Sequence, residues 1–290
     1  MPESLSKERL NMTSRTRPKQ TLVGIELVRQ LAYEGDRIFT TDRARELAPR
    51  VGLKDSYLGE ALFHLRQNGW IVPLRRGLYA LSSSVPGISD THEFEVAMAL
   101  VQPAAISHWS AMSYHGLTEQ TPRGVFVLTT TEHSVPRLQD DTSSNRDGHY
   151  PVGEVTYKFV QVRPERYFGT QQVWVGDSRV YMTDLERTLL DGISMPQYCG
   201  DFGEAIHAFE VAMDRVDIER IANYAERLGV TISKRLGWVL EHLGNQSPII
   251  ERLASIPIKG YRMLDPTGAR KGPCNSRWMI QENLPGLVTT

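Results

Sequence analysis

The sequence predicts an α+β protein of two domains: a small amino-terminal domain of three helices closed by a hairpin, then a larger mixed α/β domain with a small sheet and a helical end. Three observations carry this expectation. A chain of 290 residues exceeds the usual span of one domain, about 100 to 200 residues. Its hydrophobic period switches from helical to alternating near residue 70. A Ser/Pro/Gly-rich stretch at 83–91 then reads as a linker, giving an expected division into 1–20, 21–82 and 92–290 around it.

Residues 1–20 are polar and basic, with Arg15, Arg17 and Lys19 near their end, and read as a flexible arm. Helical spacing follows, with Leu22, Ile25, Val28 and Leu31 expected on one stripe that ends near Gly35. After a β-prone piece at 37–40, Thr40 or Thr41 can cap a second helix carrying Ala44, Leu47 and Ala48 and stopped at Gly52. A third helix has Leu58, Ala61, Leu62 and Leu65 at i, i+3, i+4 and i+7, and Asn68-Gly69 closes it. Trp70, Val72 and Leu74 then alternate, Arg75-Arg76-Gly77 turns, and 78–81 returns as the second strand of a hairpin. Helix, strand, helix, short turn, helix and basic-tipped hairpin is the order of a winged helix-turn-helix.

The larger domain is expected to open with helices over 92–116 and to pass through strands at 125–129, 155–162, 172–175 and 179–182. Residues 132–151 are rich in Asp, Ser and Asn and read as a mobile loop. Helices are expected at 185–193, 202–216, 217–228, 232–243 and 249–255, with two short β-prone pieces at 261–264 and 277–281.

Hydrophobic residues at 40% and charged residues at 23% are ordinary globular values, which excludes a disordered or fibrous chain. The uncharged stretch 96–118 is interrupted by Gln102, Pro103, His108 and His115, so a membrane span is not expected, and no signal peptide is recognised. The expected location is the cytoplasm. Net charge is −1, but residues 1–82 hold 14 Lys and Arg against 9 Asp and Glu, net +5, and 83–290 hold 19 against 25, net −6. Contact with a polyanion is therefore expected at the front of the chain.

On the third helix, the face opposite the leucines presents Ser56, Glu60, Phe63 and Gln67, flanked by Tyr57 and His64. Glu60 and Gln67 have ends suited to cytosine and adenine edges in a major groove; the role of Phe63 is open, with packing against the wing or the second domain as alternatives. Arg75 and Arg76 at the hairpin tip can reach phosphates, and Arg43, Arg45 and Lys54 are further phosphate candidates together with Arg15, Arg17 and Lys19 of the arm. The expected partner is double-stranded DNA.

Catalysis and cofactors are not expected. Acidic residues gather at Asp177, Asp184, Glu186 and Asp191, which raises a metal-dependent nuclease as the alternative reading of the second domain. Against it, no Lys has Asp or Glu two positions before it. His108 and His115 fall on one helical face without a metal-ligand pattern and read as core or capping residues. Cys199 and Cys274 form no C-x-x-C pair and read as buried or inert thiols. Phosphate-binding, dinucleotide and nucleophile-elbow motifs are all missing.

Five strings carry a family likeness: GWIVPLRRGLYALS (69–82), ISHWSAMSYHGLTEQ (106–120), VYMTDLERTLLDGISMPQYCGDFGEA (180–205), YAERLGVTISKRLGWVLEHLG (224–244), and YRMLDPTGARKG with RWMIQEN near the end. Through them the chain resembles the AbiEi-type antitoxins of bacterial type IV toxin–antitoxin systems, which act in abortive infection, over nearly its whole length. The resemblance implies a repressor that binds inverted repeats in its own promoter and counteracts a nucleotidyltransferase-like toxin, in many members without a stable complex. It places Arg75 and Arg76 in the wing and the SHWSAMSYHGL and TDLERTLLD strings in the antitoxin domain, with no catalytic role attached.

Overall fold

A computed structural model describes residues 18–89, 91–132, 134–136 and 149–284. The chain divides into two compact units, Met1–Thr91 and His92–Thr290.

In the first unit, α1 (Pro18–Tyr33) starts within the stretch expected to be a flexible arm. Proline at a helix start costs nothing, because the N–H it lacks has no intrahelical partner there. The buried stripe of α1 is Leu27, Val28 and Leu31, while Leu22 is 67% exposed. The expected stripe was therefore rotated: Leu22 and Ile25 precess off the face that α3 covers. Strand β1 (Ile38–Thr40) leads directly into α2 (Thr41–Leu47), capped by Thr40, whose hydroxyl accepts from the Arg43 N–H at 3.1 Å. A 3-10 turn (Ala48–Val51) carries on from α2, and Gly52 ends it at φ +74°, a left-handed conformation that glycine adopts without strain. Helix α3 (Asp55–Gln67) buries Leu58, Ala61, Leu62 and Leu65, the four positions the spacing marked.

The hairpin is β2 (Ile71–Arg75) and β3 (Leu78–Leu81), and β1 joins it in an antiparallel sheet ordered β1-β3-β2. Strict alternation fails in β2. The register shifts between Pro73 and Arg75, so Ile71 and Leu74, three apart, point inward and Val72 is exposed. Phe39 and Tyr79 stack with centroids 5.6 Å apart, and the Thr41 N–H donates to the Gly77 carbonyl at 2.9 Å, tying the hairpin turn to the start of α2.

The second unit begins with α4 (Glu93–Leu100), β4 (Ala105–Ile106) and α5 (His108–Tyr114). A two-residue strand thus lies between the helices expected over 92–116. Pro103 cannot extend a helix, and the residues after it enter the middle of a sheet where both Ala105 and Ile106 are fully buried. The other strands are β5 (Val125–Thr130), β6 (His149–Val152), β7 (Val155–Val162), β8 (Thr170–Val175) and β9 (Ser178–Thr183), in the order β6-β7-β5-β4-β9-β8. Pairing is mixed: β7 with β5 and β4 with β9 are parallel, the other neighbours antiparallel. Strand β6 lies at the end of the stretch expected to be a loop, while 133 and 137–148 lie outside the described residues.

Helices α6 (Leu185–Ser194), α7 (Phe202–Ala212), α8 (Ile218–Leu228), α9 (Val230–His242) and α10 (Ile249–Ser255) follow. Their core gathers Leu189, Leu190, Phe202, Phe209, Ile221, Leu236 and Trp278. Short strands β10 (Arg262–Met263), β11 (Cys274–Asn275) and β12 (Ile280–Gln281) form a third sheet, β10-β12-β11, of which β11 was not expected.

The acidic and histidine strings of the second unit serve its framework. Asp184 caps α6 by accepting from the Arg187 N–H at 2.8 Å and also accepts from the Tyr224 hydroxyl at 3.0 Å. Glu186 accepts from the Asp217 N–H, and Asp191 pairs with the buried Arg187 at 2.8 Å. Asp177 sits apart, in the β8–β9 turn. Among the described residues no group of three His, Cys, Asp or Glu is placed to hold a metal.

His108 is buried at φ +50°, with Nδ1 2.8 Å from the Ser107 hydroxyl, and burial lowers its pKa to about 4. The His115 Nε2 lies 2.8 Å from the Thr183 carbonyl oxygen. Cys199 is buried, which pushes its thiol well up, whereas Cys274 is exposed. No described helix is long and apolar enough to cross a membrane.

Candidate nucleic-acid interface

The outward face of α3 follows from helical geometry. At 100° per residue, Ser56, Glu60, Phe63 and Gln67 fall on one line opposite the leucine stripe, and all four are exposed. Tyr57 and His64 occupy one flank, Tyr57 44% exposed and His64 partly covered. The His64 Nε2 lies 3.7 Å from the Glu60 carboxylate, one helical turn away. Lys54 stands exposed at the entry to the helix, where the first backbone N–H groups and the helix dipole favour an anion.

Phe63 is 56% exposed and meets the edge of the His64 ring at 5.6 Å between centroids. An exposed ring in the middle of a polar stripe gains nothing in water.

Arg75 and Arg76 project at the hairpin tip, exposed and without an ion pair to any described residue. Gly77 turns the chain there at φ +74°. The same holds for Arg66 on the other flank of α3, which sequence reasoning passed over. Its signal was present: a cation beside Gln67 and outside the leucine stripe.

Two of the expected phosphate ligands are instead ion-paired with carboxylates. Arg43 is engaged by Asp36 at 2.7 Å, Glu46 at 3.1 Å and Glu34 at 3.6 Å. Arg45 donates to Asp55 at 2.9 Å and also pairs with Asp42. The neighbouring carboxylates lower the net positive charge that an approaching phosphate would meet at either guanidinium. The pairing has a local cause, since Asp42 and Glu46 lie three residues from these arginines on the same helix. Arg15 and Arg17 lie outside the described residues; Lys19 falls in the first turn of α1, and its side chain is likewise outside them.

The site is thus a stripe of hydrogen-bonding side chains on one helix and a pair of uncommitted arginines on the neighbouring hairpin, all in one unit. Among the described residues no group of three His, Cys, Asp or Glu accompanies it that could hold a metal.

No protein-family model matches the chain, and no curated protein matches it. Among solved structures it is similar to the crystal structure of the Rv2827c protein from Mycobacterium tuberculosis, with a TM-score of 0.64 at 13% identity over 92% of each chain. At that identity the likeness concerns the fold alone.

Proposed function

We propose that the first unit is a winged helix-turn-helix that binds double-stranded DNA, with α3 in the major groove and the Arg75-Arg76 turn on the backbone. The observation that carries this reading is the outward stripe of α3. Ser56, Glu60, Phe63 and Gln67 are all exposed on the helix that follows a helix-turn, beside a hairpin whose arginines are uncommitted. A solvated amphipathic helix also carries polar residues outward; the exposed Phe63 and the neighbouring arginines, unpaired among the described residues, are what favour recognition.

On the same reading, and with the family resemblance, the protein is a cytoplasmic autorepressor and antitoxin of a type IV toxin–antitoxin system. It binds inverted repeats in its own promoter and counteracts a nucleotidyltransferase-like toxin, and the second unit serves that partner. The buried, hydrogen-bonded state of Asp184, Glu186 and Asp191 gives the nuclease alternative no support.

The test is an electrophoretic shift of the full chain on its own upstream DNA across a salt series. Affinity should fall steeply with salt, and Arg75→Ala with Arg76→Ala should reduce the logarithmic salt slope by about 2. Binding that ignores both salt and the double substitution would remove the reading.

A further inference from the structure

We propose that β8 is a pairing edge through which two copies of this chain associate, antiparallel about a twofold axis, continuing the six-stranded sheet from one molecule into the other. Strand β8 ends the sheet order, and among the described residues it bonds only to β9. None of its six residues is buried, and beyond the β9 ladder its backbone makes no hydrogen bond to a described residue. An edge of this kind is a template for another strand.

The two edges of the sheet are unlike. Strand β6, at the far end, is four residues long and carries Pro151, a residue that cannot donate to an added strand. Strand β8 reads Thr-Gln-Gln-Val-Trp-Val. It has no charge, no proline and no glycine, none of the devices that keep an edge from pairing. One face of its hairpin is also unusually sticky. Trp174 is 66% exposed with the Arg179 guanidinium 5.9 Å from its ring centroid, and Tyr181 is 46% exposed. Register places Trp174 opposite Arg179 and Gln172 opposite Tyr181, so all four share that face. Trp, Tyr and Arg are the side chains that most often dominate binding energy.

Self-pairing is the occupant this edge fits. In any antiparallel register that keeps the faces matched, Thr, Gln, Val and Trp of one copy meet only Thr, Gln, Val and Trp of the other, and no charge opposes a like charge. A nucleic acid is disfavoured, because residues 83–290 carry a net charge of −6. That same excess makes two copies repel at a distance, so added salt should tighten the dimer, the opposite of its effect on DNA binding. The pairing requires no DNA and is tested without it.

The experiment is sedimentation equilibrium of the full chain from about 1 µM to about 200 µM at low and moderate salt, with amide exchange measured at both ends of the range. The expected result is a dimer that strengthens with salt, slower exchange of residues 170–175 at high concentration, and at least tenfold weaker association in Trp174→Lys and in Gln172→Lys. Both positions are exposed, so circular dichroism should show both variants folded. A monomer throughout the range overturns the proposal. So does a dimer that leaves exchange in 170–175 unchanged, or one that tolerates both lysines.

Discussion

The ring of Trp278 occupies the place where Gly237 would carry a side chain: a Cβ built there falls 2.0 Å from the nearest ring atom. Trp278 is fully buried against α9, and its indole N–H donates to Glu241 at 2.6 Å. One methyl at Gly237 must displace either the largest buried side chain of the unit or the helix that carries it. Gly237→Ala should destabilise by about 3 kcal/mol or more in denaturant unfolding. In a Trp278→Ala background the same change should cost little, and equal costs in both backgrounds would show the contact to be unimportant.

Arg187 and Asp191 form an ion pair in which both side chains are 1% exposed, and Arg187 also donates to the carbonyls of Arg166 and Phe168. Asp191→Ala leaves a buried guanidinium short of its counter-charge and should cost about 3 to 5 kcal/mol. Replacing both partners, Arg187→Met with Asp191→Leu, should recover part of that loss in thermal unfolding. A double variant as unstable as the single one would show that the carbonyl bonds, not the ion pair, hold this corner.

His108 predicts a pH dependence. Its Nε2 meets no hydrogen-bond partner among the described residues, and burial lowers its pKa from 6.5 to about 4. The unfolded chain therefore takes up a proton that the folded chain refuses. Stability is complete above pH 6.5 and declines as pH falls toward about 4, by about 3 kcal/mol from this residue. His115, lowered by burial as well, adds to the same trend. His108→Asn, which keeps a residue tolerant of positive φ, should flatten the decline between pH 6.5 and 4 in chemical unfolding. An unaltered pH profile would assign it elsewhere.

DNA binding should separate the arginines of the first unit into two classes. Arg75→Ala and Arg76→Ala should each weaken binding across all sequences, whereas Arg43→Ala, already held by three carboxylates, should leave affinity within about twofold. Filter binding at two salt concentrations checks this. A loss at Arg43 as large as that at Arg75 would mean its carboxylates give way to phosphate.

What the sequence determined by itself was local. The leucine stripe of α3, a threonine cap at Thr40 or Thr41, the glycine stops, the hairpin and the helices from Leu185 onward were legible because each depends on residues within a turn or two of one another. Tertiary structure decided the rest. Which face of α1 is buried depends on where α3 lies, so Leu22 could not be told from Leu27 by spacing. Strand β4 has two residues and no periodicity; only its neighbours β5 and β9 make it a strand. Arg43 and Arg75 look alike as letters, and only the carboxylates that fold around the first separate them. Gly237 and Trp278 lie far apart along the chain, and no local pattern announces that one ring fills the other's missing side chain. Periodicity reports which atoms must leave water, whereas the identity of what covers them is set by chain segments that only folding brings together.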